Sequence, residues 1–219
     1  MPHDHDHPHD HDHGPPHRHP PRADQDDTIT YWRAMEIAVR ELLIEKGIVT
    51  ADELRRQVED MDKRTPLQGA KVVARAWFDP AYKRLLLTDG NAACEAIGLE
   101  RGPYKLVVVE NTASVHNVIV CTLCSCYPRW LLGLPPDWYK SRNYRSRVVK
   151  EPREVLKEFG TLIPDSVALR VHDSNADMRY LVLPRRPAGT DSWPEQRLAS
   201  LVSRDAMIGV AVIQDQTGL

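Results

Sequence analysis

Cys121, Cys124 and Cys126, three of the chain's four cysteines, fall within the run VCTLCSCYP with only Thr122, Leu123 and Ser125 between them. Thiols this close can pair as a disulfide, ligate a metal or do redox chemistry. Structural zinc sites usually take two separated ligand pairs, and no second pair exists here, because Cys94 stands alone and His116 and His172 are isolated. An iron–sulfur cluster would want a fourth local cysteine. A catalytic disulfide would be a bare C-x2-C and would leave Cys126 without a role. C-x2-C-x-C permits one more geometry, a short loop curled so that three sulfurs face one point, with the backbone nitrogens of Ser125 and Cys126 at the same point. Deprotonated, those five donors would form a claw with a sixth octahedral position open. Such anionic donors favour a trivalent, low-spin transition metal, whereas on spacing alone zinc ranks first as the commoner cysteine metal.

Length and composition set the frame for that loop. The chain has 219 residues, is 42% hydrophobic and 27% charged, and so has the makings of a buried core in one large or two small domains. A net charge of −2 gives no basic field for nucleic acid. No apolar run approaches the roughly 18 residues of a membrane span, and no signal-peptide core is visible. Clustered thiols without a disulfide framework point to a reducing compartment, and the expected location is cytoplasmic.

The elements that must position the loop follow from pattern. Residues 1–27, MPHDHDHPHDHDHGPPHRHPPRADQDD, hold eight of the ten histidines and cannot bury a core. They are expected to be a disordered His/Asp-rich tail, solvated or loosely holding a divalent metal. A helical N-terminal region is expected over 28–98. Trp32, Met35, Val39 and Leu42 recur at helical spacing up to Gly47. Thr50 and Glu53 form a capping box opening a second helix to about Met61. Residues 69–77 give a third, and Asp79 with Pro80 starts a further one. An α+β region, 99–219, follows as the metal-binding catalytic domain. Strands are expected at 105–110, 117–121, 168–173, 179–184 and 207–213, with helical segments at PPDWYKS, REVLKEFG and 194–202. The fold class is therefore α+β, with the cysteines in a loop after a strand.

VCTLCSCY resembles the metal-claw motif of the nitrile hydratase alpha subunit. GAKVVARAWFDPAYKRLLLTDG, ENTASVHNVIV, LGLPPDWYKSRNYRSRVVKEPREVL and MRYLVLPRRPAGTD are similar to family segments in family order. Thr122 and Tyr127 resemble the residues that mark the cobalt type. The resemblance implies one Co3+ per chain, held by Cys121, Cys124, Ser125 and Cys126, with Cys121 a plain thiolate. It implies Cys124 as a sulfinate and Cys126 as a sulfenate, early steps on the cysteine oxidation ladder. Catalysis is implied at Cys126, Cys124 and Ser125: hydration of a small nitrile to its amide, with the sulfenate oxygen of Cys126 or an activated water as nucleophile. Implied partners are a beta subunit of one or two chains and a cobalt-delivery activator protein; charge and hydropathy separately lead us to expect no nucleic acid and no membrane.

Two departures bear on substrate. CYPRW, with Arg129 and Trp130, stands where many members of the family read CYPWP or CTAWP, and GLERGPYK replaces the usual Q-G-E stretch. Cys-Tyr-Pro-Arg, Asp173-Ser174-Asn175 and the His/Asp-rich tail also resemble the thiocyanate hydrolase gamma subunit, the alternative reading. A toyocamycin-type enzyme for bulky heteroaromatic nitriles is a third, and a metal-carrying interaction protein a non-enzymatic fourth. Elsewhere the bland readings lead. Cys94 is expected to be a buried free thiol, His172 a satisfied structural histidine, and Trp138 and Tyr139 core or interface anchors. Tyr144, Arg145 and Arg147 read as a partner surface or a solvated basic face, and Arg185 and Arg186 as an exposed loop.

Overall fold

The computed structural model describes residues 29–216, and the expected tail at 1–27 lies outside the described residues. Helix α1 (Tyr31–Glu45) starts at Thr30, whose hydroxyl accepts the Arg33 N–H at 3.2 Å. Helix α2 (Ala51–Asp62) opens with the expected capping box: Thr50 Oγ1 accepts from Glu53 N–H at 3.1 Å, and the Glu53 carboxylate accepts from Thr50 N–H at 2.8 Å. These helices form for local reasons, since neither buries a residue, and Trp32 stays 77% exposed.

Burial begins at α3 (Leu67–Phe78), where Val72, Val73 and Ala74 are fully enclosed. Asp79 then caps α4 (Pro80–Thr88) through Ala81 and Tyr82 N–H groups, with Pro80 at the first turn. Asp89 repeats the device for α5 (Gly90–Ala96).

Two parallel strand pairs form the centre among the described residues. Strand β1 (Lys105–Glu110) pairs with β4 (Met178–Leu183), and β2 (Val115–Val120) pairs with β3 (Ala168–Asp173). β1 and β2 follow one another through NTASVH without being hydrogen-bonded neighbours. A parallel pair needs a long crossover. The β2–β3 crossover carries α6 (Arg129–Leu132), α7 (Asp137–Lys140), α8 (Arg142–Arg147) and α9 (Pro152–Glu158). Helix α10 (Glu195–Leu201) lies against α3.

The expected strand at 207–213 is not one. Helix α11 (Arg204–Ile208) occupies its start, capped by Ser203 and ended by Gly209 at φ +93°, and the residues after it form no strand. Met207, Ile208 and Val210 are buried, and a short, continuously apolar run reads alike as buried strand or buried helix. Arg186 is also corrected. It is half-buried, donating to the carbonyls of Trp77, Thr190 and Asp191, rather than lying in an exposed loop. No helix among the described residues is long and apolar enough to cross a membrane.

Candidate metal centre

β2 ends fully buried at Val118, Ile119 and Val120, so the backbone entering Cys121 is fixed by packing on both sides. Beyond it the chain leaves the ladder and side chains take over. Thr122 donates its N–H to Asp173 Oδ1 at 2.9 Å and its hydroxyl to Oδ2 at 2.5 Å. Arg145 of α8 donates to the Thr122 carbonyl at 3.2 Å, and Tyr139 of α7 donates its hydroxyl to the Cys126 carbonyl at 2.9 Å. Tyr144 holds the strand itself, donating to the Ile119 carbonyl at 2.7 Å.

These anchors bring the three clustered cysteines together. Cys121 Sγ and Cys124 Sγ are 3.6 Å apart, Cys124 Sγ and Cys126 Sγ 3.4 Å, and all three sulfurs lie within 4.8 Å of one another. A disulfide would need about 2.05 Å. Two sulfurs each about 2.3 Å from one ion would stand roughly 3.3 Å apart at a right angle and 3.8 Å at a tetrahedral one. The observed spacings fall between, so the donor set fits a metal. Access is graded: Cys121 is buried, Cys126 half-buried and Cys124 exposed.

The thiols have unlike environments. Burial pushes the Cys124 thiol up, but hydrogen bonds from the Cys126 and Cys121 side chains and from the Ser125 and Cys126 amides outweigh it and hold it below the ordinary thiol range. Cys126 is pushed up by burial and then by the Cys124 and Cys121 thiols, with the Arg179 cation pulling the other way. Ser125 lies between them, its amide turned toward the Cys124 sulfur.

A cavity of about 440 Å3 opens onto Cys124, Ser125 and Cys126, walled by Tyr104, Trp130 and Arg179 among others. Arg179 is 6% exposed and lies over the Tyr104 ring with Cζ 3.9 Å from its centroid. Its Nη1 donates to the Asn175 and Met178 carbonyls, while its buried Nε has no partner.

Sequence reasoning assigned no part in the loop to Asp173, Tyr139 or Arg179. For Asp173 the signal was its place at the end of a strand. For the other two, 13 and 53 positions from Cys126, spacing held none. The bland readings stand for Cys94, His172, Trp138 and Tyr139. Cys94 is fully buried, its thiol raised by burial to about 11. His172 is held by Asn117 Oδ1 at 2.8 Å, and Trp138 and Tyr139 are core residues. Tyr144 belongs to neither surface expected of it, being buried, and Arg147 is paired with Glu151 and Glu158.

Comparison with known proteins agrees with this geometry. Residues 30–211 match the family model described as nitrile hydratase, alpha chain. The cobalt-containing nitrile hydratase subunit alpha of Pseudonocardia thermophila is 52% identical over 177 residues, which are 79% of this chain and 86% of that one. The thiocyanate hydrolase subunit gamma of Thiobacillus thioparus is 46% identical over 198 residues, 85% of this chain and 82% of the relative. Among solved structures, a double mutant of the Fe-type nitrile hydratase from Comamonas testosteroni Ni1 is similar at a TM-score of 0.80 and 41% identity, covering 88% of this chain and 94% of that one.

Proposed function

This chain belongs to the nitrile hydratase alpha-chain family, and from that premise we propose how its own residues carry out the family's chemistry. It is a cobalt-type alpha subunit, the catalytic subunit of a lyase that adds water to R–C≡N to give R–C(O)NH2. The observation that carries the reading is the convergence of three sulfurs on one point at the head of β2, where Cys124 and Cys126 open onto a cavity of substrate size.

Cys121, Cys124 and Cys126, with the backbone nitrogens of Ser125 and Cys126, would hold the cobalt. Bound there, Co3+ would supply a Lewis acid that polarises the nitrile. Cys121, buried behind the loop, remains a plain thiolate and anchors the claw. Cys124, the most exposed of the three and held below the ordinary thiol range, would be taken to the sulfinate by an external oxidant such as dioxygen during maturation. Cys126, half-buried at the cavity wall, would be taken by the same oxidant to the sulfenate, whose oxygen would attack the nitrile carbon. Water restores that oxygen as the amide leaves. Asp173 and Tyr139 keep the loop curled, and residues 99–219 act as the metal-binding catalytic part.

Its relatives are subunits of heteromeric enzymes, so a partner subunit is implied. We take that partner to be a beta-type subunit, one chain or two, closing over the cavity, with an activator protein delivering the cobalt. Clustered cysteines without a disulfide framework support a cytoplasmic location.

The test is mass spectrometry of the tryptic peptide Leu106–Arg129 from partner-bound protein, with its metal content. That peptide contains the three clustered cysteines and no other. Two oxygens on Cys124 and one on Cys126, with cobalt, are expected. Three unmodified thiols holding zinc would overturn the chemistry.

A further inference from the structure

The cavity above the claw is lined by three arginines, Arg64, Arg129 and Arg179, and by no acidic residue. Among the described residues none of the three is paired with an acid. Uncompensated positive charge at the mouth of a partly apolar cavity favours an anion there.

The three do not have the same job. Arg179 is buried, fixed by backbone carbonyls and by Tyr104, and close enough to Cys126 to act on its charge. It therefore serves the claw, whose deprotonated donors are anionic. Arg64 and Arg129 are exposed, and no side-chain partner claims them among the described residues. Arg129 begins α6 directly after the claw and lines the same cavity as Cys124 and Cys126, and Trp130 beside it supplies apolar wall. Before a partner closes over it the cavity measures about 440 Å3, room enough for an organic body of ring size.

Resting on the nitrile-hydrating reading above, we propose that this cavity selects nitriles that also carry a carboxylate. The nitrile end meets the claw, the apolar body lies along Tyr104 and Trp130, and Arg129 receives the carboxylate with support from Arg64. A guanidinium fork matches a carboxylate in two parallel hydrogen bonds, which makes Arg129 a specificity-determining residue.

The experiment uses the cobalt-loaded complex with its partner subunit and two probes of similar shape, para-cyanobenzoate and para-tolunitrile. The expected wild-type kcat/KM favours the anion by about tenfold or more. Arg129→Gln should lower the anion-to-neutral ratio by about tenfold to a hundredfold, and Arg129→Lys should restore part of it. A merely structural role would lower both substrates together and leave the ratio unchanged. Arg64→Gln provides an independent variant, with a smaller fall in the same ratio.

A wild-type ratio at or below one, or a ratio that Arg129→Gln does not move, overturns the proposal while leaving nitrile hydration standing. Consumption of thiocyanate with neither nitrile hydrated overturns the proposal and the reading beneath it.

Discussion

Asp173 grips Thr122 with both carboxylate oxygens, Oδ1 on the amide at 2.9 Å and Oδ2 on the hydroxyl at 2.5 Å. The two residues sit where the β2–β3 ladder ends, since Val120 is the register partner of Asp173. The ladder thus passes its grip from backbone to side chain one residue before the claw. Asp173→Ala should lower unfolding free energy by about 1–2 kcal/mol, as expected for charge-assisted hydrogen bonds in an exposed setting. It should also speed cobalt loss, while Asp173→Asn, which keeps one acceptor, should fall between. Thermal melts and metal content over time would check both. An Asp173→Ala protein that melts and holds cobalt like its parent would remove the carboxylate from this role.

The second anchor is Tyr139, fully buried, with its hydroxyl on the Cys126 carbonyl. Burial, ahead of the Tyr144, Cys121, Tyr127 and Cys126 groups around it, drives this phenol well above the ordinary tyrosine range. The donor therefore persists across all working pH. Tyr139→Phe keeps the ring and removes only the O–H, leaving a carbonyl without its donor at a cost of about 1–2 kcal/mol. Cobalt release should quicken several-fold with secondary structure unchanged by circular dichroism. Unaltered release would show that the loop is held without it.

Those two anchors also mark the limit of what was legible in the amino-acid chain. Cys121, Cys124 and Cys126 were readable because their spacing alone brings three donors into one loop. Thr50 with Glu53 and Asp79 with Pro80 were readable because caps are local devices, complete within four residues. Asp173 stood at a legible strand end, but it reaches the loop only because the chain crosses over and returns in parallel, and Tyr139 only because α7 within that crossover folds back on the loop, both tertiary facts. The 207–213 segment misled for a related reason. Its apolar run is set by burial, and burial does not choose between strand and helix until Ser203 and Gly209 are recognised as its caps.

Gly133 permits a test of how tightly the cavity's floor is built. It closes α6 at φ +71°, and an added Cβ would sit 2.2 Å from the Arg64 carbonyl oxygen. Gly98 has a similar φ of +75° with nothing within 4 Å. Gly98→Ala should cost only the left-handed backbone penalty, about 1–2 kcal/mol. Gly133→Ala adds a backbone clash that no rotamer relieves, so it should cost at least about 2 kcal/mol more and shift substrate KM through Arg64. Equal losses in the two variants, by urea denaturation, would mean the α6 turn yields freely.

His116 sets the acid limit of the fold. It is 5% exposed, with Nε2 on the Gly209 carbonyl at 2.7 Å and Nδ1 near the Asn111 amide nitrogen at 3.3 Å. A carbonyl only accepts and an amide NH2 only donates, so the neutral ring protonated at Nε2 satisfies both. A second proton at Nδ1 would face the Asn111 N–H and lose that bond. Burial accordingly holds His116 below its ordinary 6.5, more strongly than the Gly209 bond raises it. Burial and then Arg170 lower His172 in the same sense. The unfolded chain therefore takes up these protons first as pH falls. Stability should be complete above about pH 6.5 and lost progressively below it, toward the depressed folded values. The lowered carboxylates Glu53 and Asp79 titrate below their ordinary 4.5 and 3.8, so they do not share this window. Urea midpoints between about pH 8 and pH 5 should be flat and then fall, and His116→Asn should flatten the fall while lowering the plateau. A parent with no slope in that range, or a variant with the parent's slope, would mean the ring accepts its second proton in the fold as easily as in the open chain.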